Sequence, residues 1–143
     1  MSAYQKLGLA ALLLAPVIGQ AATALASDTV IDSRLVGEWH GQRDDKSSCR
    51  FQSRAVKRLP NGQYVISYFS DAEQTHKTSE VKGLWWAADK TLFLQSPGTS
   101  GKPEAYHYYM IDKNTVRLEN VEVDLSADCP EDSTLIDNRV VQE

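Results

Sequence analysis

Residues 50–70 read RFQSRAVKRLPNGQYVISYFS, and their alternation decides the fold class. From Gln63 to Ser70, Tyr64, Ile66 and Tyr68 fall on one side while Val65 and Phe69 fall on the other, the period of two that a strand imposes. Arg50 to Leu59 reads as the preceding strand. Between the two, Pro60 fixes its own φ and Gly62 tolerates backbone angles closed to other residues, so Pro60-Asn61-Gly62 predicts a tight hairpin turn.

The same grammar extends in both directions. Upstream, Leu35 to Arg43 reads as a strand on which Leu35, Gly37, Trp39 and Gly41 share a face. Downstream, a turn at Asp71-Ala72-Glu73 leads into a long extended stretch from Thr75 to Ala87, and Ala88-Asp89-Lys90 reverses the chain into Thr91 to Gln95. Ser96 to Lys102, with Pro97, Gly98 and Gly101, reads as a loop. Pro103 to Ile111 and Thr115 to Val123 form a further hairpin across Asp112-Lys113-Asn114, and a polar crossing through Asp128 to Asp132 leads to a last strand, Thr134 to Val141. The stretch from Asp28 to Arg34 alone suggests a helical turn. The expectation is an all-β chain: an antiparallel up-and-down meander of about eight strands that closes into a small barrel or curls into a half-barrel. Closure is favoured because it removes exposed strand edges.

Ahead of these strands lies a segment of a different kind. Lys6 supplies a positive charge, Leu7 to Ile18 an apolar core, and Ala24-Leu25-Ala26 a small-x-small site, the three regions of a secretory signal peptide covering residues 1–26 and cut before Ser27. The apolar core is shorter than the about 20 residues a membrane span requires, and Pro16 interrupts it, so no membrane span is expected in the mature chain. Removing 26 of the 143 residues leaves 117 as a single domain. Of the 15 basic and 19 acidic residues only Lys6 is lost, so the mature charge is −5, a poor match to a nucleic-acid backbone. The expected location is exported, periplasmic or extracellular. In that oxidising setting Cys49 and Cys129, the chain's two cysteines, are expected to form one disulfide.

Leu35-Val36-Gly37-Glu38-Trp39-His40-Gly41 resembles the opening of lipocalin-like domains, whose first strand carries Gly-x-Trp. Gly83-Leu84-Trp85 followed by a tight turn and Leu92 and Leu94, and Tyr106-His107-Tyr108-Tyr109 running through Asp112, Asn114-Thr115-Val116 and Leu118, fit the same pattern. The resemblance implies an up-and-down barrel whose first-strand tryptophan packs across the closed end, covered by an arginine from a late strand. Arg117 and Arg139 are the two candidates for that arginine. The chain is shorter than the lipocalins proper, which argues against a deep calyx for lipophilic ligands.

Chemistry-bearing residues are sparse. His40, His76 and His107 fall on three different predicted strands with no two at ligand spacing, so neither a metal nor another cofactor is expected. No nucleophile elbow is present, and Asp44 with Asp45 or Glu131 with Asp132 read as turn chemistry. Glu38 and His40 share a strand face, which brings an acid and a base together. Arg50, Arg54 and Arg58 also share a face, with Lys57 adjacent, and read as a solvated stripe or an anionic-partner surface. The aromatic residues serve core packing or line a groove; Trp39, Tyr68, Trp85, Tyr106 and Tyr108 are the candidate ligand-contacting set. Of Trp85 and Trp86 one faces in and one out, and Tyr106 and Tyr108 oppose His107 and Tyr109.

These features point first to an exported non-enzymatic binding module for a small apolar ligand or a protein partner. The alternatives are a small hydrolase or isomerase using Glu38 and His40 in a barrel mouth, and an envelope structural or stress protein without ligand.

Overall fold

The computed structural model describes residues 29–42, 51–98, 101–122 and 134–143. The expected signal peptide, Cys49, Cys129 and Arg50 lie outside the described residues. Eight strands follow one another: β1 (Gly37–Gln42), β2 (Ser53–Arg58), β3 (Gln63–Phe69), β4 (Lys77–Ala88), β5 (Thr91–Gln95), β6 (Glu104–Asp112), β7 (Thr115–Asn120) and β8 (Thr134–Arg139). Each pairs antiparallel with the next, and β1 pairs with β8, so the meander closes into a barrel. Among the described residues there is no helix, and none long and apolar enough to cross a membrane.

The opening hairpin forms where its sequence places it. Val56 stands opposite Ile66 and Arg58 opposite Tyr64, and Gly62, at φ 85°, turns the chain while Asn61 Oδ1 accepts a hydrogen bond from Gln63 N at 3.0 Å. At the next tight turn Asp89 and Lys90 both take positive φ, 47° and 60°, the twist-compatible geometry of a two-residue hairpin. Alternation then sorts the side chains. Trp39, Val56, Tyr64, Ile66, Trp85, Leu92, Leu94, Tyr108, Val116 and Leu118 fill the interior. Trp86 stacks on Phe93 outside, with centroids 5.5 Å apart, while Trp85 is buried.

The barrel has two unlike ends. Short turns join β2 to β3, β4 to β5 and β6 to β7, and at this end lies the segment before β1. That segment is extended rather than helical. Val30 and Ala87 exchange backbone hydrogen bonds of 2.9 and 2.8 Å, and a turn at Ser33–Leu35 then sends Leu35 into the core. The expected helical turn fails because Asp32 turns the chain instead, accepting from Arg34 N at 3.0 Å, and because the edge of β4 offers Val30 a ladder partner.

Four inward groups tie this strap down. Leu35 O accepts from Trp39 Nε1 at 3.0 Å and from Arg58 Nε at 2.9 Å, Tyr108 donates its hydroxyl to Asp32 at 2.8 Å, and Arg139 donates to Val36 O and Arg34 O, both at 2.6 Å. Arg139 also lies over the Trp39 ring at 4.2 Å, with Arg58 at 5.4 Å. Of the two candidate arginines, then, Arg139 covers the tryptophan. Arg117 sits on the outer wall against Tyr109 at 4.8 Å.

Two predictions follow from the strap. A Cβ at Gly37 would lie 2.8 Å from Arg139 Nη1, on a backbone at φ 125°, so Gly37→Ala should lower stability by about 1–3 kcal/mol in urea unfolding. Hydrogen bonds from Arg34, working against partial burial and aided by Tyr108, hold the Asp32 carboxyl at about 2, down from 3.8. Its stabilising effect is therefore present above the unfolded-state value and is lost as the pH falls through the folded one. The stability gap between wild type and Asp32→Asn should be constant near neutrality and close between about pH 4 and about pH 2. A gap that does not change over that range would exclude Asp32 as the acid-sensitive tie.

Candidate binding site at the barrel mouth

At the other end the described walls come from strand ends brought together by the meander. β2 contributes Arg54 at its start, β3 Tyr68 near its finish, β4 Thr78 and Ser79, β6 Glu104 and Tyr106, and β7 Asn120. They enclose a cavity of about 650 Å³, with Phe51, Pro103 and Val121 supplying apolar surface from the adjoining segments. Phe51 leans on Tyr68 at 4.8 Å with the rings tilted by 53°. At the rim Lys102 pairs with Glu122.

The floor is a buried ion pair. Arg54 is 4 % exposed and Asp137 fully buried; Arg54 donates from Nε at 3.1 Å and from Nη2 at 2.8 and 2.9 Å to the two Asp137 oxygens. Burial opposes the Arg54 charge, but the Asp137 carboxylate outweighs it and holds the guanidinium above its ordinary pKa. Arg58, deeper and without a carboxylate bonded to it, is pushed down to about 10 by burial, with Arg54 and Arg139 adding repulsion. The sequence therefore misleads on the basic stripe: Arg54 and Arg58 line the interior, not a wet face. The register explains this, since Val56, between them, faces Ile66 inside the barrel.

Tyr106 stands on the wall beside the floor. Its hydroxyl donates to Glu104 Oε2 at 3.1 Å, and burial together with Glu104 raises its pKa well beyond the usual phenol range. It stays a neutral hydrogen-bonding group at physiological pH.

The five candidate aromatic residues separate into two groups. Tyr68 and Tyr106 line the mouth. Trp39 and Trp85 are fully buried towards the closed end, where Trp85 Nε1 donates to Leu59 O at 3.0 Å, and Tyr108 bonds to the Asp32 strap. Glu38 and His40 stand on the outer wall, in a depression of about 260 Å³ shared with Lys57, which pairs with Glu38 at 3.0 Å. They do not face the mouth, because the parity that turns Trp39 inwards turns both of them out. His76 precedes β4, where its ring nitrogen lies 2.9 Å from Thr75 Oγ1, and His107 is on the outer face beside Thr91 at 3.3 Å. Among the described residues no group of three or more His, Cys, Asp or Glu is placed to hold a metal ion.

Sequence reasoning missed Asp137 and the loop-borne Pro103 and Val121. The first carried one signal: an aspartate on a strand whose parity partners are Leu135 and Arg139 has to find a cation inside. Compared with family models, curated proteins and solved structures, the chain matches none of them.

Removing one member of the floor pair leaves a buried charge uncompensated, whereas replacing both with apolar groups does not. Asp137→Asn should cost about 3–5 kcal/mol in denaturant unfolding, and the double change Arg54→Met with Asp137→Leu should recover most of that loss. Equal losses in the single and double variants would show that packing volume, not charge compensation, is what the pair supplies.

Proposed function

We propose that this chain is an exported, lipocalin-like, non-enzymatic binding module that holds a small molecule in the mouth of its barrel. The observation that carries the reading is the cavity of about 650 Å³ that the described residues line at this end, within the size range of small-molecule sites. Its lining favours an amphipathic occupant over a purely apolar one: aromatic and aliphatic surface from Phe51, Tyr68, Pro103 and Val121 stands above the Arg54–Asp137 floor. The barrel below is packed with side chains, so the ligand is shallow, compact and seated between loops rather than swallowed in a deep calyx. Export is supported by the three-part leader at residues 1–26. Lipocalin likeness is supported by Trp39 on β1 lying beneath an arginine from the last strand.

The tryptophans are poor reporters of this site, since Trp39 and Trp85 lie towards the other end. A neutral solvatochromic probe, N-phenyl-1-naphthylamine, should instead bind saturably at one site per chain. Replacing Tyr68 and Tyr106 together by alanine should weaken it about tenfold or more, given the about 1–3 kcal/mol that burial of an aromatic contact contributes. Tyr109→Ala, on the outer wall, should leave it unchanged. Absence of saturable binding, or equal weakening by Tyr109→Ala, would overturn the proposal.

A further inference from the structure

We infer that the occupant of the mouth enters with a neutral hydrogen-bond acceptor foremost, the carbonyl of an amide, ketone or ester, and that Arg54 Nη1 is the donor that receives it. The inference rests on the mouth being a ligand site and names the chemistry of what it takes.

A guanidinium carries five N–H donors in one plane. Asp137 occupies the Nε and Nη2 edge of Arg54, and Nη1 makes no hydrogen bond to any described residue. Arg54 is nearly inaccessible as a residue, yet it lines the cavity, and Nη1 is the edge of its guanidinium that Asp137 leaves unoccupied. The bidentate hold of Asp137 fixes the guanidinium plane, which leaves Nη1 a donor in a set position at the bottom of the site.

Charge decides which acceptor fits. Among the described residues of the lining and floor, Arg54 and Lys102 stand against Asp137, Glu104 and Glu122, a formal sum of −1. The positive charge of Arg54 is already met at 2.8 Å, and Glu104, within 3.1 Å of the Tyr106 hydroxyl, shares the adjoining wall. An ionised carboxylate would approach Asp137 and Glu104, while both cations of the described lining, Arg54 and Lys102, are already paired. An ammonium group would face the donor hydrogens of an arginine. A neutral carbonyl accepts from Nη1 without either opposition, while its apolar remainder lies along Phe51, Tyr68 and Pro103.

The test displaces N-phenyl-1-naphthylamine from the full exported chain at neutral pH with three ligands of one chain length: octanamide, octanoate and octylammonium. Octanamide should displace the probe at about tenfold lower concentration than either charged ligand, the factor expected of one hydrogen bond from a charged donor. Arg54→Lys keeps a cation beside Asp137 but removes Nη1; it should reduce that preference to about threefold or less while the probe still binds. If the probe fails to bind wild type, the mouth is not a ligand site and the reading beneath this one falls. If the probe binds but octanoate or octylammonium matches the amide, or if Arg54→Lys keeps the preference, the acceptor-first orientation is overturned and the mouth remains a site. The three-ligand comparison on wild type needs no variant to fold.

Discussion

Everything in this barrel depends on how little room β1 takes up on its inner face. β1 is the strand at which the meander closes: six residues pair it with β2, but among the described residues its seam with β8 registers three pairs, Trp39 with Arg139, His40 with Asn138 and Gly41 with Asp137, continued by Val140 N donating to Glu38 O at 2.9 Å. So short a ladder needs side chains to lock it, and those side chains must pass over β1 to do so. A Cβ at Gly37 would lie 2.8 Å from Arg139 Nη1, and one at Gly41 would lie 2.6 Å from Asp137 Oδ1 and 3.1 Å from Arg54 Nε. The alternation Gly37, Trp39, Gly41 is thus steric in origin. Two absent side chains admit two clamps, and the large ring between them is what one clamp closes over.

The two clamps do different work because they meet different partners. Towards the closed end Arg58 donates from Nε to Leu35 O and Arg139 donates to the carbonyls of Arg34 and Val36, fastening the leading segment as a lid over the core. Burial is what pushes the Arg58 pKa down there, with repulsion from Arg54 and Arg139 added, and a backbone oxygen with an aromatic face does not offset it. Towards the mouth Arg54 has Asp137, and the charge is met by charge.

The meander was legible because each strand alternates and each reversal carries its own turn chemistry; Pro60-Asn61-Gly62 and Ala88-Asp89-Lys90 both turn the chain where they stand. Tyr68 and Tyr106 were also legible as candidates, since their parity matches that of the core residues Ile66 and Tyr108. Arg54 and Arg58 were misread for a physical reason. A charged residue defaults to solvent because burying it unpaired is costly, and the groups that offset this cost lie 83 and 23 residues away along the chain, at Asp137 and Leu35. Period-two reasoning assigns a face but not the partner across the barrel. Arg54 and Arg58 share the parity of the core residue Val56, which carries both inwards.

The Arg54–Asp137 pair also marks the boundary between what stabilises the fold and what is open to solvent. On one side of it the interior is closed by Trp39, Val56 and Val116, and on the other the walls turn to Tyr68, Tyr106, Glu104 and Asn120. A buried ion pair is seldom the most stable filling for a core; an apolar pair of the same volume often does better. Its position at the floor of the cavity gives it a second consequence that an apolar pair would lack, namely a rigid polar surface where the dry core ends. Because Asp137 holds the guanidinium in place before anything enters, the mouth presents its donor without having to order a long side chain on binding, and that ordering is a cost flexible surface arginines incur. The interaction that helps seal the β1–β8 seam therefore also shapes the site, so changes to the seam should be felt in the mouth even where they touch none of its lining.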